Sequence, residues 1–121
     1  MRILIIDDAR FQRGQVSRAL SELGHTVLEA ANGQEGFMIL LQEVPDVVIC
    51  DLLMPVMDGI GFLEMVKKHQ VSTPILILTA DVQKSTREQC LQLGARAFLN
   101  KPCNAEELAE ALKSIHPQGE S

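Results

Sequence analysis

The chain has 121 residues, of which 46% are hydrophobic, and this length suits one domain with a single core rather than two domains. The formal net charge is −5 and the longest basic run is Lys67-Lys68, which argues against direct nucleic-acid binding. Three cysteines without a close pair argue against a disulfide framework or a zinc site and predict a reducing, cytoplasmic location. The apolar run at 3–6 is too short for a signal peptide or a membrane span.

Short apolar runs alternate along the chain with stretches that carry apolar residues at helical spacing. Continuous apolar runs predict strands that are buried on both faces, because half-buried strands alternate apolar and polar residues. The predicted strands are residues 3–6, 26–30, 47–50, 75–78 and 97–99. The predicted helices are residues 10–23, 34–42, 60–68, 82–93 and a last helix that begins after Asn104.

Local signals refine some of these elements. Asn32-Gly33 predicts a turn before the second helix. Asn104, with Glu107 three residues later, forms a capping-box sequence for the last helix. The first helix carries its apolar residues on one side, which is formed by Phe11, Val16, Ala19, Leu20 and Leu23.

Five strands that alternate with five helices predict a doubly wound α/β domain. Such a domain has a five-stranded parallel sheet with helices on both faces. We assign this domain to residues 1–116 and a short flexible tail to residues 117–121.

Polar side chains stand at the ends of four predicted strands. Asp7 and Asp8 follow the first strand, Asp51 the third, Thr79 the fourth, and Lys101 comes just after the fifth. At any one position a polar residue simply marks the start of a loop. The joint pattern is informative, because the carboxyl ends of parallel strands share one edge, where ligand sites of open α/β sheets form. We therefore predict that these side chains converge.

The predicted cluster has a coherent chemistry. Three neighbouring carboxylates repel one another, and a hard divalent cation with oxygen ligands, most naturally Mg²⁺, relieves that repulsion. A lysine and a threonine hydroxyl complement the oxygens of a phosphoryl group, whose transfer depends mainly on positioning and charge neutralisation. An aspartate can itself act as the nucleophile and form an acyl phosphate. Asp51, which follows the most enclosed strand, is the best candidate acceptor.

The same residues resemble the receiver domain of bacterial two-component response regulators, the CheY-like family, over nearly the whole chain. Each matching piece is weak alone, but their order and spacing are highly specific. The pieces are Ile5-Ile6-Asp7-Asp8, residues 51–55, residues 57–59, Thr79-Ala80 and Lys101-Pro102. The resemblance implies the flavodoxin-like strand order 2-1-3-4-5.

The resemblance also implies a role for each residue of the site. Asp51 accepts the phosphoryl group from a sensor histidine kinase or a phosphotransfer protein. Asp8 and Asp51 ligate Mg²⁺ as the cofactor, Asp7 holds it mainly through water, and the backbone carbonyl of Leu53 completes the set. Lys101 pairs with the phosphoryl oxygens. A domain of this kind catalyses only its own phosphorylation and dephosphorylation and is otherwise not an enzyme.

A conformational switch is the second implication of the resemblance. Thr79 hydrogen-bonds to the phosphoryl group and moves on phosphorylation, and Phe98 turns inward as it does so. The Lys101-Pro102 peptide bond is expected to be cis. The output face is expected on the fourth helix, fifth strand and fifth helix, where it contacts a downstream effector protein or effector domain. Alternating charges on that face suit a homodimer, and they equally suit a solvated surface.

Other functions stay open on the residues alone. A small Mg²⁺-dependent phosphatase with an aspartyl-phosphate intermediate commonly has a second carboxylate two residues after its nucleophile, where this chain has Leu53. A phosphorylation-independent scaffold would not need the complete set of acidic, hydroxyl and lysine side chains. A flavin-binding domain is disfavoured, because Asp7 and Asp8 would repel a phosphate in the absence of a metal.

Overall fold

The computed structural model of the chain describes residues 1–114, which form a parallel sheet flanked by helices. Its strands are β1 (Arg2–Ile6), β2 (Thr26–Ala30), β3 (Val47–Cys50), β4 (Ile75–Thr79) and β5 (Ala97–Asn100). Its helices are α1 (Arg10–Glu22), α2 (Gly33–Glu43), α3 (Gly59–Lys68), α4 (Lys84–Gln92) and α5 (Ala105–Ser114). The strand order is β2-β1-β3-β4-β5 with parallel neighbours, which confirms the predicted fold. The predicted tail at 117–121 lies outside the described residues.

The two faces of the sheet support separate hydrophobic clusters. Leu4 and Ile6 of β1 belong to a cluster with buried residues of α2 and α3. Ile3 and Ile5 point to the other face and belong to a cluster with α1 and α5. Because successive strand residues face opposite sides, a sheet covered on both sides needs apolar residues at every strand position. This requirement explains the apolar runs of the inner strands β1, β3 and β4, whereas the edge strands β2 and β5 are less buried.

The starts of α2, α3 and α4 differ by one or two residues from the sequence-based prediction. Helix α4 begins at Lys84 rather than at residue 82, because the Asp81 carboxylate accepts the Gln83 amide at 2.8 Å and the Thr86 hydroxyl at 3.1 Å. The predicted turn at Asn32-Gly33 is the start of α2: the Asn32 side chain accepts the Glu35 amide at 2.8 Å. The Asn32 side chain therefore caps α2, whereas the Asp81 side chain forms an Asx turn just before α4.

The predicted apolar side of α1 is wrong at Phe11, whose side chain is 77% exposed. Leu20 is the buried residue of this helix, and Leu23 is 44% exposed. Phe11 lies in the first turn of α1, at the carboxyl edge of the sheet, where β1 has already ended at Ile6. Helical spacing identifies the apolar face of a helix. It does not show whether a neighbouring element extends far enough to cover that face.

Gly33 is required by close packing rather than by an unusual backbone angle. A Cβ atom at this position would lie 2.2 Å from the Met57 carbonyl oxygen, and the Gly33 amide donates to the Val56 carbonyl at 3.1 Å. Gly33 thereby allows the start of α2 to contact the loop between β3 and α3, which follows Asp51.

We expect Gly33→Ala to destabilise the protein by about 2 kcal/mol, because the added methyl group overlaps a backbone oxygen that cannot rotate away. Gly14→Ala is the matched control: it lies within α1, a Cβ there meets nothing within 4 Å, and alanine favours helix by about 0.5–1 kcal/mol. Urea unfolding of both variants measures the difference. Equal stabilities would contradict the close contact.

Candidate functional site

Three aspartates meet at the carboxyl edge of the sheet. Asp7 and Asp8 follow β1 and Asp51 follows β3, and these strands flank the point where the strand order reverses. One carboxylate oxygen from each residue lies within 4.8 Å of the others. Asp7 and Asp51 are buried, whereas Asp8 is exposed. The crevice at such a reversal point is where ligands bind in open α/β sheets.

Lys101 joins this cluster from the end of β5. Its Nζ atom donates to Asp7 Oδ2 at 3.1 Å, to Asp51 Oδ2 at 3.2 Å and to Gln12 Oε1 at 2.8 Å. An ammonium group has three N–H donors, so each of them has an acceptor. The Lys101-Pro102 peptide bond is cis, as expected.

The environment of Asp51 disfavours its charged form. Burial raises the pKa of the Asp51 carboxyl, the Lys101 ammonium opposes this rise, and the Asp7 carboxylate adds to it. The Leu53 amide donates to Asp51 Oδ1 at 3.4 Å, a long contact that stabilises the charged carboxylate only weakly. Asp51 is therefore a carboxylate whose charge a further cation would stabilise.

The donor set fits a hard divalent cation. Three carboxylates and one ammonium leave two negative charges, which a divalent ion neutralises. The donors are oxygen atoms, which Mg²⁺ prefers. The nearby Cys50 thiol does not compete, because burial raises its pKa well above the usual value and keeps it protonated.

Arg13 was missed by sequence reasoning, and it holds the backbone beside the site. Its Nη1 atom donates to the carbonyl oxygen of Asp7 at 2.7 Å, and its Nε atom donates to Glu29 Oε1 at 2.8 Å. Gln12, the third acceptor of Lys101, was missed as well. Both residues lie in α1 and contact groups on other elements, so spacing along the helix provides no signal for them.

Thr79 and Phe98 lie on neighbouring strands, on the same face of the sheet. Phe98 pairs with Ile77 in the register of β4 and β5, and Thr79 lies two residues beyond Ile77. Thr79 is fully buried as the last residue of β4, one residue beyond the predicted strand end, and its Oγ1 accepts the Asp81 amide at 3.2 Å. Phe98 is half-buried and packs against the cluster that contains Ile77.

A 2-1-3-4-5 parallel sheet with acidic residues and a lysine at its carboxyl edge defines the CheY-like class of α/β domain. A family model described as the response regulator receiver domain matches residues 3–113, and the chain belongs to this family. It is a receiver domain of two-component signal transduction.

Known proteins similar to this chain include stand-alone and longer ones. Protein PilH of Pseudomonas aeruginosa is 33% identical over 116 residues, which are 94% of this chain and 96% of PilH. Chemotaxis protein CheY4 of Vibrio cholerae has a TM-score of 0.88 and 34% identity, over 94% of this chain and 97% of that chain. A CheX–CheY–BeF3–Mg²⁺ complex from Borrelia burgdorferi has a TM-score of 0.90 and 25% identity, over 95% and 88% of the chains. This chain spans about half the length, or less, of other curated relatives that it matches.

Among residues 1–114, none of the helices combines the length and apolar composition that crossing a membrane requires.

Proposed function

We propose that this receiver domain is a Mg²⁺-dependent phosphoryl acceptor and that Asp51 is the acceptor. The observation that carries the proposal is the position of the Asp51 carboxylate, which is buried within the acidic cluster and lies 3.2 Å from the Lys101 ammonium. A sensor histidine kinase or a phosphotransfer protein is the donor. The Asp51 oxygen attacks the phosphorus atom, the bond between phosphorus and the donor imidazole breaks, and an acyl phosphate forms.

Asp7, Asp8 and Asp51 are the residues that would hold Mg²⁺, together with the backbone carbonyl of Leu53. When bound, the ion supplies charge neutralisation for the phosphoryl oxygens. Its presence beside CheY in the B. burgdorferi complex supports Mg²⁺ as the cofactor here. Burial raises the pKa of the Asp51 carboxyl, so a bound ion would favour its charged form.

Lys101 is the residue that would neutralise the transferred group from the protein side. Its contact with Asp51 Oδ2 places the ammonium beside the oxygen atoms that become part of the acyl phosphate. As negative charge develops on the phosphoryl oxygens, the Lys101 ammonium would exchange a carboxylate oxygen for a phosphoryl oxygen as its hydrogen-bond acceptor. Preorganised cations of this kind act mainly by electrostatic stabilisation of the transition state.

Thr79 and Phe98 would convert phosphorylation into a signal. The Thr79 hydroxyl turns toward the phosphoryl group, and the Phe98 ring turns further inward on the same face of β4 and β5. We propose that the output face is formed by α4, β5 and α5 and binds a downstream effector protein, an effector domain or a second copy of the chain. The whole receiver unit in this proposal is residues 1–116, acting in the cytoplasm.

A catalytic phosphatase is the less favoured function. Leu53 occupies the position where such an enzyme needs a second carboxylate, and its side chain is 65% exposed and apolar. Leu53 can neither protonate a leaving group nor orient attacking water by hydrogen bonding. Hydrolysis of the acyl phosphate on Asp51 is therefore expected to be slow.

Incubation with a small-molecule phosphodonor, with Mg²⁺ or with a chelator, tests the proposed function by intact mass. We expect a single phosphoryl adduct that requires Mg²⁺, because the acidic cluster, whose charge Lys101 neutralises only in part, repels an anionic donor. Stoichiometric uptake would distinguish a receiver from a phosphatase, which would release phosphate over many turnovers. An equally strong adduct in the chelator would contradict the role of the ion.

A further inference from the structure

The shortest of the three hydrogen bonds of Lys101 goes to a neutral side chain. The distance from Nζ is 2.8 Å to Gln12 Oε1, against 3.1 Å to Asp7 and 3.2 Å to Asp51. We propose that Gln12 is a positioning residue for Lys101 during phosphoryl transfer, an inference that rests on the proposed function. Gln12 touches neither the metal ligands nor the acceptor in this role and acts through the lysine.

Lysine side chains have considerable conformational freedom. An ammonium group on a four-carbon stem is a mobile point charge, unlike the planar fork of arginine. The Lys101 side chain is 17% exposed and thus lies at the rim of the site. The Asp7 and Asp51 carboxylates give its nitrogen two acceptors. The Gln12 oxygen on α1 adds a third, which restrains the nitrogen further.

A bound metal ion would affect the three contacts of Lys101 differently. The carboxylates of Asp7 and Asp51 are also the proposed ligands of Mg²⁺, so a bound cation competes with Lys101 for their oxygen atoms. Gln12 is uncharged and is not one of those ligands. Its bond to Lys101 is therefore the one of the three that metal binding does not weaken directly.

A neutral acceptor is also the electrostatically suitable choice at this position. A carboxylate in place of Gln12 would add a fourth negative charge near the three aspartates and would hold the ammonium away from the phosphoryl group. An amide oxygen orients the ammonium without that competition. Gln12 is placed by the first turn of α1, a helix anchored in the core through Leu20.

Gln15 offers a matched control on the same helix. Gln12 and Gln15 both line a cavity of about 690 Å³ that extends from Lys101 between α1 and the start of α5. Within residues 1–114, no side-chain hydrogen bond joins Gln15 to Lys101, whose acceptors are named above. Methionine has nearly the shape of glutamine and lacks its acceptor, so the same substitution at both sites isolates the hydrogen bond.

The experiment measures the phosphorylation rate against the concentration of a small phosphodonor at saturating Mg²⁺. We expect Gln12→Met to lower the maximal rate about threefold to tenfold, with the half-saturating donor concentration unchanged, because one hydrogen bond to a charged group is lost. We expect Gln15→Met to match the wild type. In a Lys101→Met background, Gln12→Met should have no further effect, since the lysine through which it acts is gone.

Each result bears on the inference. A maximal rate for Gln12→Met equal to the wild-type rate would overturn it, and so would an equal slowing by Gln12→Met in the Lys101→Met background. Wild-type protein that forms no Mg²⁺-dependent adduct would overturn the proposed function and this inference with it. The wild-type reaction thus separates failure of the proposed function from failure of the Gln12 assignment.

Discussion

We expect Asp51→Asn to abolish the Mg²⁺-dependent phosphoryl adduct, because an amide oxygen is a poor nucleophile and cannot form an acyl phosphate. The substitution preserves the shape of the side chain, and its amide oxygen can still accept a hydrogen bond from Lys101. Intact mass after incubation with a small phosphodonor measures the loss. Full labelling of the variant would place the acceptor elsewhere.

A stability measurement supplies the control for this variant. Burial raises the pKa of the Asp51 carboxyl in the folded protein, so above that pKa the charged group makes the metal-free fold less stable than an uncharged group would. Asparagine removes that cost. At neutral pH we expect the free energy of unfolding of the metal-free variant to equal that of the wild type or to exceed it by about 1 kcal/mol. A marked loss of stability would mean that the missing adduct reflects unfolding.

Lys101→Met is expected to lower the phosphorylation rate by about 10²–10³-fold, the usual effect of removing one preorganised electrostatic donor from a transition state. The phosphoryl oxygens then lose the cation supplied by the protein, while the proposed metal ligands remain. Rapid quenching and intact mass measure the rate. A rate within twofold of the wild type would exclude Lys101 from the transfer step.

The same substitution tests the charge balance of the site. Without Lys101, the three carboxylates stand uncompensated, and two of them are buried. We expect the metal-free variant to lose about 3 kcal/mol of stability, as when one partner of a buried ion pair is removed. Added Mg²⁺ should restore part of this loss by binding the folded state.

Lys113→Met is the matched control for that loss. Lys113 pairs with Glu110 at 3.9 Å, with both side chains 78% exposed, and exposed pairs contribute little to stability. We expect thermal unfolding with and without Mg²⁺ to be nearly unchanged in this variant. Similar losses in Lys101→Met and Lys113→Met would contradict the buried charge network.

The amino-acid sequence is enough to predict the architecture and the composition of the acidic edge. Continuous apolar runs identify strands covered on both faces, and alternation with amphipathic stretches leaves few topologies. Given a parallel sheet, residues after the first, third and fifth strands must share an edge. The strand order 2-1-3-4-5 that the family resemblance implies then brings Asp7, Asp51 and Lys101 together. These features depend on local periodicity and topology, which the sequence expresses directly.

Which side chains complete the site depends on three-dimensional packing. The bonds from Lys101 to Gln12 and from Arg13 to the carbonyl of Asp7 join elements through space, and the spacing of residues along a helix carries no record of them. The exposure of Phe11 depends on where β1 ends relative to α1. The close approach of Gly33 to Met57 depends on the path of a loop. Periodicity specifies which face of an element is apolar, whereas contacts depend on how far the neighbouring elements extend.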